Sequence, residues 1–384
     1  MTTVNYDLRL VDPTFGSKLT STIIELDILR KRELEGTAAP WYFSQLKQIF
    51  HSMESLGSAR IEGNHTTIAD YVEHQIDGTS DNSENIKEIE NITRAMEYVE
   101  DSIESGTEIT HQFIRELHSI IVDGLSVSKE GDKTPGAFRR VSVEITGSEH
   151  VPIDHVLDQP SMDELLAFIK NNDAEQYDLI KVALIHHRFT WIHPFANGNG
   201  RVVRMLNYAL LIKYGFNVKK GRVLNPSCVF FSDRDHYYKC LAVGDYGTDE
   251  GLLFWCEYVL IGISSEIVKI DALMNYAYLS LSILHPAIRH AVDRKVITKE
   301  EGAILKLGIT DQKRQYFKTG DISDDFTARQ KTHMVKKLKD IGLILPLENN
   351  ARSYYVNFSR SYLLRGVIQA LESNKFIPKM DDLK

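Results

Sequence analysis

The twelve residues from His193 to Arg204, HPFANGNGRVVR, hold the side chains best suited to chemistry in this 384-residue chain. Their glycines and Asn199 can turn several backbone N–H groups toward one point. A helix beginning at Arg201 would add its own unpaired N–H groups and the positive end of its dipole, which favours anions such as phosphates. Arg201 and Arg204 lie three residues apart and can reach the same anion. His193, at the mouth of the loop, is a candidate general base.

Helices must hold this loop on both sides. Apolar residues at helical spacing predict one helix over 177–192, which runs into the loop, and another from 201 onward. The first hundred residues have the same periodicity, including a helix over 41–62 that ends at Gly63. We therefore expect a mainly α fold.

One segment breaks the helical pattern. In the stretch 136–152, Val141, Val143 and Ile145 alternate with polar residues, and Gly147 supplies a turn, so the pattern predicts a β-hairpin. An isolated hairpin is weak, and we expect this one to lie on the helical core.

The last hundred residues predict a different module. Helices over 298–307 and 327–341 are followed by a hairpin formed by 343–346 and 354–356, which is winged-helix order. The helix over 327–341 is basic and could enter a DNA major groove, or it could be a solvated helix on a protein-interaction domain. We divide the chain into 1–105, 106–282 and 283–384.

Composition limits the function classes. Lys and Arg number 45 against 53 Asp and Glu, a net charge of −8, so any DNA contact needs a local basic patch. The three cysteines have no C-x-x-C spacing, which disfavours zinc clusters and disulfides and suits a reducing cytoplasm. No secretory signal or membrane-spanning run is evident, and we expect 252–263 to be a buried helix.

The HPFANGNGRVVR stretch resembles the motif of the Fic family, H-x-F-x-(D/E)-G-N-G-R-x-x-R. Seven of the eight specified positions match, namely His193, Phe195, Gly198, Asn199, Gly200, Arg201 and Arg204. The resemblance extends over roughly residues 10–260. It implies a Fic-type helical core in which the hairpin is a target-docking flap containing Val143, Ile145 and Gly147.

The resemblance implies transfer of AMP from ATP to a Tyr, Ser or Thr hydroxyl of a target protein or of the chain itself. His193 would deprotonate the hydroxyl, and the backbone of 198–200 would cradle the phosphates. Asn199 would orient the α-phosphate, while Arg201 and Arg204 would hold the β- and γ-phosphates. Such chemistry needs mainly positioning and charge neutralisation. Tyr237 and Tyr238 lie where relatives form the nucleoside pocket.

Asn197 departs from the family pattern. Relatives place there an Asp or Glu that binds Mg²⁺, and a neutral amide oxygen is a weaker ligand for this hard cation. Mg²⁺ could still bind through the ATP phosphates, Asn197 and water. The substitution also leaves open the γ-phosphate transfer of Doc-type relatives, although Gly198 and Gly200 favour AMP transfer.

Ser58 and Glu62 resemble the family's inhibitory motif, (S/T)-x-x-x-E-(G/N), in the class with an N-terminal inhibitory helix. The resemblance implies that Glu62 pairs with Arg204 in place of the γ-phosphate. Glu62 could instead position water that removes AMP from modified targets. A nucleotide-sensing, DNA-binding regulator is the alternative from another functional class. A homodimer and DNA binding through 327–341 remain open.

Overall fold

The computed structural model describes residues 6–32, 36–77, 83–145, 150–218, 224, 226–348 and 352–377. The described residues form sixteen α-helices and three short β-strands. The helices are α1 (Lys18–Lys31), α2 (Pro40–Ile61), α3 (Ile68–Asp77), α4 (Glu84–Ser102), α5 (His111–Val122), α6 (Asp158–Lys170), α7 (Asp178–Ile192), α8 (Asn199–Lys213), α9 (Cys228–Phe231), α10 (Arg234–Gly244), α11 (Asp249–Ala272), α12 (Tyr276–Leu279), α13 (His285–Asp293), α14 (Lys299–Thr310), α15 (Ala328–Asp340) and α16 (Leu364–Ser373). The strands are β1 (Phe317–Lys318), β2 (Ile344–Pro346) and β3 (Ser353–Val356). The predicted mainly α fold is confirmed.

The described chain divides into two compact units that are each discontinuous in sequence. The first comprises Met1–Glu33, His51–Thr66 and Asn82–Val268, and the second comprises Leu34–Phe50, Thr67–Asp81 and Lys269–Lys384. The linear division at residues 105 and 282 differs from this arrangement because two N-terminal segments group with the C-terminal part.

The first unit is built around α7 and α8. These helices pack on each other, with α6 against α7 and with α4 and α5 against α8. Nearly every residue of α7 is buried, and its buried cations Lys181 and Arg188 are paired with the carboxylates of Asp173 and Glu164. Trp255 of α11 is fully buried and its indole N–H donates to the Ala183 carbonyl at 2.7 Å. α11 is long and apolar enough to cross a membrane, but 56% of its apolar window is buried within the protein, as predicted for a core helix.

The second unit contains the small antiparallel sheet, in the order β1-β3-β2. β2 pairs with β3 in the register Ile344↔Val356, which confirms the C-terminal hairpin predicted from sequence. α14 packs on β3, whereas α15 packs on β2 and on the 3₁₀ turn Thr319–Asp321. Tyr42 stacks between Tyr276 and Phe358 and closes this core.

The hairpin predicted over 136–152 is wrong for the residues that the structure describes there. Residues 136–145 and 150–152 form no strand, and 146–149, which hold the expected turn, lie outside the described residues. Several polar groups of the segment bond to the loop and helix beside it. The Arg139 N–H donates to the Pro194 carbonyl at 2.8 Å, and His150 Nε2 contacts the Trp191 carbonyl at 3.0 Å. Alternation alone is insufficient because a lone two-stranded ribbon is marginal.

Gly57 allows a close approach that fixes the C-terminal half of α2. A Cβ at this position would lie 2.2 Å from the Phe231 ring. We expect Gly57→Val to lower the free energy of unfolding by about 1–3 kcal/mol, since the ring must shift within a packed core. Thermal unfolding of the variant measures the loss. Gly320→Val is the control, because a Cβ there meets nothing within 4 Å, and equal destabilisation by both variants would contradict the packing argument.

Candidate functional site

The backbone turns sharply at His193, where α7 ends. His193 adopts a left-handed conformation with φ 55°, which is uncommon for a residue other than glycine and is found at functional sites. The buried Arg139 holds this turn. Its Nε donates to the His193 carbonyl at 2.8 Å and its Nη2 donates to the Asp158 carboxylate at 2.9 Å. The arginine thus satisfies carbonyl oxygens that the helix end leaves free.

The His193 imidazole is held in its neutral form. Burial lowers its pKa to about 4, and a hydrogen bond with the Thr190 backbone offsets only part of this effect. Nearby cationic side chains, Arg139 among them, lower the pKa further. A neutral imidazole at pH 7 can accept a proton, as a general base must.

The loop after His193 is braced from within. The amide of Asn199 accepts from the Phe195 N–H at 2.9 Å and donates to the Phe195 carbonyl at 2.8 Å. The Phe195 ring is fully buried and stacks on His118, with ring centroids 3.8 Å apart. His118 also accepts from the Gly136 N–H and contacts the Asn197 carbonyl at 3.1 Å. Asn199, predicted to orient the α-phosphate, therefore has a visible structural role in this loop.

The loop ends in the N-terminus of α8. Gly198 caps the helix with φ 77°, and no side chain caps its first turn. The backbone N–H groups of that turn are accordingly available to an anion, as the sequence predicts. Gly200 faces the site. A Cβ there would lie 2.3 Å from Glu62 Oε1, so this contact requires glycine at position 200.

Arg204 and the end of α2 form a buried ion pair. Arg204 is 1% exposed, and its Nη2 donates to Glu62 Oε1 at 2.6 Å. Its Nε donates to Ser58 Oγ at 2.8 Å and its Nη2 to the Ser58 carbonyl at 3.0 Å. Burial alone would raise the pKa of Glu62, but the charges of Arg204 and Arg201 outweigh it and hold this pKa below its usual value. The predicted trio is thus together, with Glu62 and Arg204 both charged.

Arg201 has a different set of partners. Its guanidinium is fully buried and donates to Glu88 Oε1 at 2.9 Å, to Glu130 Oε2 at 2.8 Å and to the Glu130 carbonyl at 2.9 Å. Burial raises the pKa of Glu88 to about 7, with Arg201 opposing the shift. Arg204 reaches the cleft, whereas Arg201 is engaged by two carboxylates beside it. Its predicted role as a phosphate ligand stays a prediction.

The ion pair and His193 line one cleft, which has a cavity volume of about 90 Å³ and is open to solvent. The lining residues are Glu62, Ile145, His150, Thr190, Trp191, His193, Gly200, Arg204, Tyr237, Tyr238, Leu241 and Asp245. The structure therefore brings together the predicted base, the predicted phosphate end and both tyrosines of the predicted nucleoside pocket.

The two tyrosines differ in exposure. Tyr237 is 2% exposed, and its hydroxyl lies 3.0 Å from His186 Nε2, while the amide of Asn207 lies 2.7 Å from His186 Nδ1. Tyr238 is 36% exposed, with Arg234 over its ring. Tyr237 is accordingly a fixed wall, and Tyr238 is free to contact a ligand.

Sequence reasoning missed several cleft residues. Asp245 lies eight residues after Tyr237 and four after Leu241, so helical spacing could have placed it on the same face. His187 Nε2 contacts Asp245 Oδ1 at 3.1 Å. His150 and Trp191 carry no local motif, because only the fold brings them to the cleft. Of the predicted flap residues, Ile145 lines the cleft, Val143 is half-buried and Gly147 lies outside the described residues.

Asn197 does not form a metal site with its neighbours. Its Oδ1 accepts from the Gly198 N–H at 2.6 Å, and its Nδ2 donates to the Lys129 carbonyl at 2.7 Å. The Arg201 guanidinium lies 3.5 Å from the same Oδ1 and would repel a cation. No group of three or more His, Cys, Asp or Glu side chains suited to a metal occurs within the described ranges. The protein side chains alone do not fit Mg²⁺.

The three cysteines lie in the interior. Cys228, Cys240 and Cys256 are all buried and form no disulfide. None lines the cleft, so nucleophilic thiol chemistry has no place in this site.

Comparison with known proteins gives a consistent result. Residues 108–211 match the Fic/DOC family. "Protein adenylyltransferase Fic" of Drosophila grimshawi is 30% identical over 205 residues, which are 51% of this chain and 38% of that protein. The protein of the same name from Nematostella vectensis is 28% identical over 162 residues, 42% of this chain and 34% of that protein. The matches span little more than a third of either relative.

Two crystal structures share the fold. A Fic family protein from Desulfovibrio desulfuricans G20 aligns with TM-score 0.54 and 19% identity over 92% of this chain and 98% of that chain. A Fic domain containing signaling protein from Bacteroides thetaiotaomicron aligns with TM-score 0.52 and 18% identity over 67% of this chain and 98% of that chain. The resemblance deduced from the motif is therefore supported by the family match over residues 108–211, and the fold is confirmed by these two structures.

The neutral state of His193 can be measured directly. We expect its ring resonances to titrate near pH 4, well below the ordinary value of about 6.5, because burial penalises the imidazolium. NMR of histidine-labelled protein gives the titration, with assignment by loss of the signal in His193→Gln. Titration near pH 6.5 would contradict the buried, neutral base.

Proposed function

The chain carries a Fic/DOC family domain over residues 108–211, and from this premise we propose that it is a protein adenylyltransferase. It would transfer AMP from ATP to a hydroxyl side chain of a target protein or of itself. The relatives from Drosophila grimshawi and Nematostella vectensis are both named protein adenylyltransferase, which supports AMP transfer as the class of reaction. The observation that carries the proposal is the cleft that joins a neutral His193 to the N-terminus of α8 and to Arg204.

The reaction follows from these groups. His193 accepts the proton of the target hydroxyl while the hydroxyl oxygen forms a bond to the α-phosphorus of ATP. The bond from the α-phosphorus to the bridging oxygen breaks, and pyrophosphate leaves. The N–H groups of α8 and the Arg204 guanidinium neutralise the phosphates, and they are preorganised because the loop is braced by Asn199 and Phe195.

ATP is the donor in this proposal, and Mg²⁺ would arrive with its phosphates. A metal bound in this way would neutralise phosphate charge. No step is assigned to Mg²⁺, because Asn197 and its neighbours do not provide a metal site of their own.

Glu62 acts as the brake in this mechanism. Its carboxylate and the terminal phosphates of ATP require the same guanidinium, that of Arg204. While the 2.6 Å contact persists, the phosphates cannot take their productive place. The glutamate is a quarter exposed, so it can leave without opening the core. Removal of AMP by a Glu62-positioned water and γ-phosphate transfer are the other reactions that this cleft could support.

Release of the brake gives the first functional prediction. We expect Glu62→Gly to raise incorporation of label from α-labelled ATP into protein by about 10- to 100-fold, because a charge-assisted hydrogen bond contributes about 1.5–3 kcal/mol. Autoradiography of a cell extract containing the variant measures the transfer. Glu62→Gln is the near-isosteric companion and should also release activity.

The control for chemistry is His193→Ala in the Glu62→Gly background, which should abolish the label. If protein takes up label only from γ-labelled ATP, the reaction is phosphate transfer and not AMP transfer. Absence of label from either position would contradict the proposed function.

The nucleoside wall gives a second prediction. In the Glu62→Gly background, Tyr238→Ala should raise KM for ATP about tenfold and change kcat less, because the ring contacts the nucleoside away from the reacting phosphates. Tyr246→Ala is the matched control, since Tyr246 is 67% exposed and does not line the cleft. An equal rise in KM for both variants would show that Tyr238 does not contact the nucleoside.

A further inference from the structure

The C-terminal part of the chain has a charge opposite to that of the whole. Residues 269–384 contain 20 Lys and Arg against 13 Asp and Glu, whereas the full chain has 45 against 53. Positive charge on an otherwise acidic protein is therefore concentrated in residues 269–384, the C-terminal part of the second unit. Such an asymmetry is typical of a local surface for a polyanion.

The topology around α15 is that of a helix-turn-helix with a wing. β1 and the 3₁₀ turn precede α15, and the β2–β3 hairpin follows it, in the sheet order β1-β3-β2. α15 begins with a capping box, in which Thr327 Oγ1 accepts from the Gln330 N–H and the Gln330 side chain accepts from the Thr327 N–H. Its first turn is therefore rigid. Val335 and Leu338 anchor the opposite face.

The exposed face of α15 is a stripe of unpaired cations. Lys331 and Lys337 have partners, since they pair with Asp324 at 2.8 Å and with Glu301 at 2.5 Å. The exposed residues without an ion-pair partner in the described part of the chain are Arg329, His333, Lys336 and Lys339. Their spacing of three and four residues places Arg329, His333 and Lys336 on one face, away from Leu338. Lys339 continues this row toward the side of the helix that carries Val335.

We infer that the second unit is a winged-helix module that binds duplex DNA by placing α15 in the major groove. The stripe from Arg329 to Lys339 is about 15 Å long at 1.5 Å per residue, which matches about four base-pair steps. Arg329 and His333 in the N-terminal half face the base edges. Lys336 and Lys339 contact phosphates, as does the exposed Arg352 that precedes β3. This binding is independent of nucleotide transfer in the first unit.

The geometry favours DNA over other polyanions. The major groove of B-DNA admits an α-helix, whereas that of A-form RNA is too narrow for side chains to read. The exposed face of α15 is polar, which does not suit insertion into a lipid surface. Asp340 lies beyond the C-terminal end of the basic stripe. Asp324 precedes its N-terminal end and is paired with Lys331.

The test uses the full chain and a labelled random-sequence DNA duplex of about 30 base pairs. Fluorescence anisotropy should give binding that weakens steeply between about 50 and 200 mM salt, with a log–log slope near −3 for the three phosphate-neutralising cations Lys336, Lys339 and Arg352. We expect Arg329→Gln/Lys336→Gln/Lys339→Gln to lower the affinity at least tenfold and to reduce the slope by about two, because two of its three substitutions remove phosphate contacts. Glutamine is a good helix former, and thermal unfolding checks that the variant is folded.

The control variant is Lys299→Gln/Lys306→Gln/Lys313→Gln, which removes the same charge from exposed positions of the same unit. It should keep most of the affinity. Equal loss in both variants would overturn the assignment to α15, since it would reflect net charge alone. Equal binding of an RNA duplex of the same length, or a Kd weaker than about 10⁻⁴ M for DNA at low salt, would overturn duplex DNA recognition.

Discussion

The contact between Arg204 and Glu62 is the interaction on which the arrangement of the cleft depends. Arg204 is a fully buried cation, and an unpaired buried charge would cost several kcal/mol, so the fold must supply it with an anion. In the structure that anion is Glu62, supported by Ser58 on the preceding turn of the same helix. A phosphate could serve equally well. In the proposed mechanism the guanidinium thus has two alternative partners, Glu62 and the phosphates of the nucleotide, and the identity of the partner decides whether AMP transfer can proceed.

Much of the surrounding structure maintains this choice. Gly200 leaves room for the Glu62 carboxylate, and Gly57 lets α2 approach Phe231 closely enough to carry Ser58 and Glu62 to the site. Arg201 is held separately by Glu88 and Glu130, so Glu62 competes for one arginine only. Arg139 fixes the left-handed turn at His193 from the other side. Each of these contacts removes freedom from the reacting groups before any nucleotide binds, which is the physical content of preorganisation.

The local part of this site was predictable from sequence, and the long-range part was not. The loop between α7 and α8 and its glycines follow from a short motif, because backbone N–H groups at a helix start are a local feature. The Glu62–Arg204 pair joins distant segments and is implied only by the resemblance of Ser58 and Glu62 to the family's inhibitory motif. The partners of Arg201 and the clamp by Arg139 depend on segments some fifty to a hundred residues away and leave no local pattern. For the flap, the sequence predicted structure that is not found. The alternation at Val141, Val143 and Ile145 predicted strands, whereas the described residues there form no strand. The periodicity of apolar residues in a sequence indicates which face of a segment is apolar. It does not indicate which groups the backbone N–H and C=O will hydrogen-bond to.

The central claim is that Glu62 and the β- and γ-phosphates compete for Arg204. Isothermal titration calorimetry of ATP and AMP, with the wild-type protein and Glu62→Gln, tests it most directly. The account predicts that Glu62→Gln tightens ATP binding at least tenfold and leaves AMP binding nearly unchanged, because AMP lacks the β- and γ-phosphates that would contact Arg204. An equal change in the affinity for both nucleotides, or no change for ATP, would contradict it.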